Sequence, residues 1–376
     1  MTLQAGGAGA PAMPSVARRV RAVAWSLMPF VVALVTGALV LMVTGRDPVA
    51  TYSLLVAQSL GSSTALANTL ALTTPVLFTG LATALAFRAG IFNVGVEGAL
   101  YVGAFAAAWV GFTLIGIPGP SLVGAALAAA AVVGAAWSFV PGYLRARWRV
   151  DEVVTTLMLN FVAIQLTSYL VNGPYLAVGT ANSMSPLVAV QARLGSLAPP
   201  SQLSAGFTLA LVIAAAFWFV FARTTLGYEL NLVGSNSRFA ATAGISLTRV
   251  IVVAMIVSGA IAGLAGAVQI LGVNGRFIDR FSPGFGFTGI AVALLGRNTA
   301  LGCVLAALFF GALSNGSAMM QLFSDIPLDL VNLLAGLVMI LAVVDFAGLR
   351  PRRIAPASAL APADVTSSAH VERGSP

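Results

Sequence analysis

The chain has 376 residues, 59% hydrophobic and only 8% charged, with nineteen arginines, no lysine and a net charge of +8. Soluble domains run near 25% charged, so this composition excludes a soluble globular protein and describes a polytopic membrane protein. The lack of lysine excludes a GxxxxGK[ST] phosphate loop, one His (His370) and one Cys (Cys303) exclude a metal cluster or a disulfide, and arginines scattered between apolar runs speak against nucleic acid.

Taken from the N-terminus, residues 1–22 are rich in Gly, Ala and Pro and then carry Arg18, Arg19 and Arg21, which reads as a cytoplasmic segment. The apolar run 23–43 is near the roughly 20 residues needed to cross the hydrocarbon core. It is too long for a signal peptide and lacks a cleavage site, so it reads as an uncleaved first span. Further runs follow at 66–87, 94–115, 120–143, 152–171, 206–222, 250–272, 299–322 and 328–347. The run Gly286 to Gly296 is only about 16 Å long as a helix, so it is short, broken or re-entrant. The expected fold is therefore all-α, a transmembrane domain over 23–347 with about ten helices, one of them short or broken. Residues 348–376 read as a disordered cytoplasmic tail.

Arginine placement tests that count. With ten crossings and the N-terminus inside, fifteen arginines fall on the cytoplasmic side and four outside (Arg46, Arg193, Arg276 and Arg280). That bias follows the positive-inside rule, whereas an odd count would put Arg350, Arg352 and Arg353 outside. Both termini are then expected in the cytoplasm. Residues 172–205, with Pro174, Pro186, Pro199 and Pro200, form the long outer loop. Residues 223–249 form the long inner one, whose mixed apolar and polar pattern suits a short surface helix. Such a helix either lies on the membrane or docks a cytosolic partner.

Glu97 is the most informative residue, a carboxylate between two long apolar runs. An ionised group at that depth costs roughly 2.5–3.5 kcal/mol on insertion scales, so it faces protein, water or a substrate path. Gly90, Gly95 and Gly98, with Asn93 between them, suggest non-helical backbone, which is tolerated in a membrane only where it is buried or lines a cavity. Two readings stand, a short turn with Glu97 neutralised by Arg88, or a gating or cavity-lining group. Other acidic residues in or near the spans are few (Asp151, Glu152, Asp345), too sparse for a proton relay. The chain reads as a conduit driven from elsewhere.

Five stretches in order make the reading specific: Phe87-Arg88-Ala89-Gly90-Ile91-Phe92-Asn93-Val94-Gly95-Val96-Glu97-Gly98; Asp151 to Asn160; Thr224-Thr225-Leu226-Gly227-Tyr228-Glu229; Ser258 to Ala267; and Gly286 to Asn298. Together they resemble the permease subunits of bacterial ABC importers for nucleosides and simple sugars, over about residues 75–345. The chain departs from that family's usual pattern at Ala99, Asp151 and Asn231.

The resemblance implies an inner-membrane permease that is not an enzyme and carries no cofactor, ATP and Mg being used by partner ATPase subunits. It implies a second, different permease chain, a periplasmic or lipoprotein substrate-binding protein, and a small polar substrate. Phe92, Asn93, Glu97, Thr155, Thr156 and Asn160 are the candidates for the substrate path. Thr156 and Asn160, at i and i+4, share a helix face and either line the path or bridge helices. Gly227, Tyr228, Glu229, Leu230 and Gly234 are the candidates for coupling to the ATPase. Gly259, Gly263 and Gly266 give α-helix packing, either static or permitting movement. A stand-alone secondary transporter of a small polar solute is the alternative, and a non-transporting scaffold a third class.

Overall fold

A computed structural model describes residues 45–323 apart from Ala181, together with a few positions between 32 and 43 and Gly336. The expected first and last spans fall largely outside these residues, and the segments 1–22 and 348–376, with His370, fall wholly outside. Among the described residues the chain is helical, with no strand. The helices are α1 (Pro48–Leu60), α2 (Ser63–Arg88), α3 (Val96–Thr113), α4 (Gly119–Trp148), α5 (Glu152–Asn172), α6 (Gly206–Arg223), α7 (Thr225–Ser235), α8 (Ser237–Thr242), α9 (Leu247–Gln269), α10 (Phe285–Leu295) and α11 (Ala300–Phe323). Seven of them are long and apolar enough to cross a membrane: α2 to α6, α9 with its π-helical extension to Asn274, and α11. The protein is a multi-pass membrane protein, and these seven fall on seven of the expected runs.

Polar residues at the ends of the apolar runs start the helices. The Asp47 carboxylate accepts from the Val49 amide at 2.9 Å ahead of Pro48, and Asp151 accepts from the Val153 and Val154 amides at 2.9 and 3.0 Å. These are N-caps that satisfy otherwise orphaned donors. Helix α1 lies between two of the expected runs, where the sequence reading placed no helix. Its 13 residues are too few to cross the hydrocarbon core.

Helices α2 and α3 are the axis of the bundle and are mostly buried, whereas α4, α5 and α6 are mostly exposed. Helix α9 lies against both α3 and α4, and small residues let it come close. Gly259 and Gly263 leave no room for a Cβ against Gly134 and Ala130 of α4, and Gly263 also meets Gly103 of α3. Gly266 meets the Leu100 carbonyl and Ala104 of α3 in the same way. Between membrane helices such backbone contact supplies the packing that the hydrophobic effect supplies in water.

The connection 172–205 is folded against residues 271–277. Ser185 N donates to the Phe277 carbonyl at 2.9 Å, Val188 N to Gly275 at 3.0 Å, and Leu194 N to Leu271 at 2.9 Å. It thereby caps an aromatic group in which the Phe277 ring lies 5.6 Å from Phe105 and 6.4 Å from Tyr101.

Candidate functional site

Helix α2 stops because Gly90 follows it. Gly90 takes φ +75°, its amide donates to the Phe87 carbonyl, and the Ile91 amide reaches back to Ala86 at 3.0 Å. This pairing is a Schellman closure, which favours glycine at the left-handed position. Residues 91–95 then run without helix into the bundle before α3 begins. Ile91, Asn93 and Val94 are all buried, so their backbone groups have to find partners within the protein.

Asn93 itself and side chains from two helices supply those partners. Asn93 Oδ1 accepts from the Gly95 amide at 2.9 Å, and its Nδ2 donates to Ser258 Oγ of α9 at 2.9 Å. Ser258 in turn donates to the Ala82 carbonyl of α2 at 2.8 Å. From α5, Thr156 Oγ1 accepts from the Val94 amide at 3.3 Å, and Asn160 both donates to the Val94 carbonyl at 2.9 Å and accepts from the Gly98 amide at 2.8 Å. Asn160 therefore bridges helices, one of the two readings its spacing allowed.

Glu97, in the first turn of α3, is 2% exposed. Its carboxylate accepts from the Gly286 amide at 2.5 Å. Ser282 Oγ accepts from the Gly284 and Phe285 amides at 3.2 and 3.1 Å, so the two side chains together close the N-terminus of α10. A negative group there is favoured by the orphan amides and by the helix dipole. Gly286 has no room for a Cβ, which would stand 2.5 Å from the Glu97 amide nitrogen. The short helix α10 thus begins inside the bundle, against the first turn of α3.

Arg88 does not neutralise Glu97, and that reading of the sequence is corrected. Its Nε donates to the Asn298 carbonyl at 2.7 Å, and its guanidinium lies 4.4 Å over the Phe221 ring and 5.8 Å over Phe217. Arg88 ties the end of α2 to α6 and to the turn after α10. The structure brings Asn93, Glu97, Thr156 and Asn160 together around 91–98 and leaves two candidates apart. Phe92 is 42% exposed and stacks on Phe87 at 4.8 Å, and Thr155 bonds back to Asp151 and Glu152 of its own helix. Ser258 and Ser282 belong to the site too. Their signal in the sequence is a hydroxyl standing alone among apolar and small residues.

The connection 223–249 holds α7 and α8. Gly227 packs on the Val220 carbonyl, closing the turn from α6. Gly234 leaves no room for a Cβ, which would meet the Arg88 carbonyl and stand 2.9 Å from the Gly90 amide nitrogen, so α7 abuts the start of the broken segment. Tyr228 is 62% exposed, Glu229 is half-buried, and Phe239 of α8 is 55% exposed. Leu230, expected as a partner contact, is 1% exposed and belongs to the chain's own core. A cleft of about 190 Å³ beside it, between α6, α7 and α9, is walled by apolar side chains such as Phe217, Leu226 and Val257, and offers a polar solute nothing to bond.

Residues 65–343 match the family described as branched-chain amino acid transport system / permease component. The chain is 37% identical over 332 residues to the guanosine ABC transporter permease protein NupP of Bacillus subtilis, covering 85% of this chain and 93% of that one. It is 36% identical over 322 residues to a glucose ABC transporter permease protein of Haloferax volcanii, covering 83% and 84% of the two chains. A nucleoside ABC transporter permease protein, NupB of Lactococcus lactis subsp. cremoris, is 30% identical over 337 residues, covering 87% and 92%. A chain of apolar spans with a clamped, broken segment at its centre thus belongs to the branched-chain amino acid transport system / permease component family.

Proposed function

We propose that this permease component carries a nucleoside or a related simple sugar across a bacterial plasma membrane, as one membrane subunit of an ABC-type importer. Cytosolic ATPase subunits, a second and different permease chain, and a periplasmic or lipoprotein binding protein are its partners. ATP and magnesium act in the ATPase, and this chain itself carries no cofactor and no catalytic residue. A stand-alone secondary carrier is set aside by membership in a family of permease components.

One observation supports a coupled machine above all: an unbroken line of contact from the inner connection to the centre of the bundle. Gly234 of α7 bears on Arg88 and Gly90, residues 91–95 are held by Asn93, Thr156 and Asn160, and Glu97 closes α10. In this reading Tyr228 and its neighbours meet the ATPase, Gly227 and Gly234 let α7 seat closely, and a shift of α7 moves the broken segment and α10 as one. Discontinuous helices near the bilayer midplane are where transporters commonly bind and gate. Ten spans with both termini in the cytoplasm, the domain limits 1–22, 23–347 and 348–376, and the inner position of 223–249 belong to the same proposal.

The test is reconstitution with the ATPase, second permease and binding protein in proteoliposomes. ATP-dependent uptake of tritiated guanosine or labelled glucose, lost when this chain is omitted, is the expected result. Uptake by this chain alone without nucleotide would overturn the proposal. For orientation, a Ser235→Cys, Cys303→Ala protein should stay unlabelled by an impermeant thiol reagent added outside intact cells, and outside labelling would reverse the topology.

A further inference from the structure

Helix α5 has two unlike stripes. Glu152, Thr156, Asn160, Ala163, Thr167 and Val171 form the buried one, turned to α3 and α4. On the opposite side lie Met158, Phe161, Gln165 and Tyr169, with Phe161 58% and Tyr169 69% exposed. Gln165 is exposed as well, and among the described residues nothing hydrogen-bonds its amide. It stands seven residues before the Asn172 end of α5, about 10 Å along the helix and so within the hydrocarbon layer.

An unpartnered amide is disfavoured against lipid tails, because hydrocarbon offers it neither donor nor acceptor. The outward faces of α4 and α6 respect that rule. Helix α4 presents Val132, Ala136 and Val140, and helix α6 presents Val212, Ala215 and Phe219. Helix α5 breaks it at one position, with an aromatic ring one turn to either side. Glutamine supplies two donors and an acceptor, and neighbouring rings supply faces on which a flat heterocycle stacks.

We infer that the outward stripe of α5, and not its Thr156–Asn160 stripe, is a wall of the water-filled translocation path, and that Gln165 between Phe161 and Tyr169 contacts a nucleobase-bearing solute there. This rests on the importer reading and deepens it, because a hexose has no flat ring to stack on either aromatic.

Single cysteines at 165, 132 and 212 in a Cys303→Ala background, in the assembled importer, test it with a charged, water-soluble methanethiosulfonate. Such a reagent attacks thiolates, which form only in water. Position 165 should react at least ten-fold faster than 132 and 212, and excess guanosine should slow it several-fold while glucose does not. Equal, slow labelling at all three would overturn the wall, whether lipid or a tightly packed second permease covers the stripe. Fast labelling that guanosine leaves unchanged, or that glucose slows equally, would overturn the solute contact. Labelling needs no transport, so a complex that imports neither solute while position 165 reacts counts against the importer reading alone. Gln165→Leu, with normal yield, should raise the KM for guanosine uptake more than it lowers the maximal rate, and an unchanged KM would also overturn the contact.

Discussion

Replacing Glu97 with alanine is expected to lower uptake by the assembled importer at least ten-fold while the complex still assembles. Alanine leaves the Gly286 amide and the first turn of α10 buried without their acceptor. An unsatisfied buried donor costs about 1–3 kcal/mol, and the lost charge at a helix N-terminus about 0.3–2 kcal/mol more. A conformational equilibrium moves about ten-fold for each 1.4 kcal/mol, so an unfastened α10 suffices to trap one state of a transport cycle. Glutamine keeps the shape and an accepting oxygen but not the charge. Glu97→Gln is therefore expected to fall between alanine and the parent protein, impaired but active. Initial uptake rates, set beside the yield of complex, check the order. Parent-like kinetics in Glu97→Ala would remove Glu97 from the coupling line and leave it as a packing residue.

Hydropathy alone leaves Glu97 either in a short turn between two spans or facing a cavity, and the length of 286–296 announces a helix too short to cross. The link between the two was illegible, because Glu97 and Gly286 lie 189 residues apart and only folding brings them into contact. Arg88 was misread for the converse reason. Its nearness in sequence to Glu97 suggested a pair, while its partner is a carbonyl 210 residues away and the rings of α6. Helix α5 marks a third limit. The spacing of Thr156 and Asn160 placed them on one face, but both stripes of that helix mix polar and apolar residues, so periodicity could not say which one turns inward. Only the hydrogen bonds to Val94 and Gly98 decide it. Helix α1 escaped notice because a 13-residue helix with Ser53, Gln58 and Ser59 has no span signature.

The two residues one helix turn or less apart in α7, Tyr228 and Leu230, are expected to fail in different ways. Leu230 is 1% exposed in the core, so Leu230→Ala should open a cavity and lower stability by about 2–5 kcal/mol. Thermal unfolding of the purified complex reads that loss. Tyr228 and Phe239, 62% and 55% exposed, have no such core role. Exposed aromatics that fill a partner's cleft often contribute about 2 kcal/mol or more to an interface, equivalent to about thirty-fold in affinity. Tyr228→Ala with Phe239→Ala should therefore leave unfolding of the isolated permease unchanged while weakening copurification of the ATPase and uncoupling hydrolysis from uptake. Gly234 gives the reason that uncoupling follows. It bears on Arg88 and Gly90, so force delivered to α7 has a direct route to the clamped segment. Full copurification with normal substrate-stimulated hydrolysis in the double variant would move the docking surface to the turn between α4 and α5. There Arg147, Trp148 and Arg149 stand exposed, and Arg149 holds a left-handed φ of 55°.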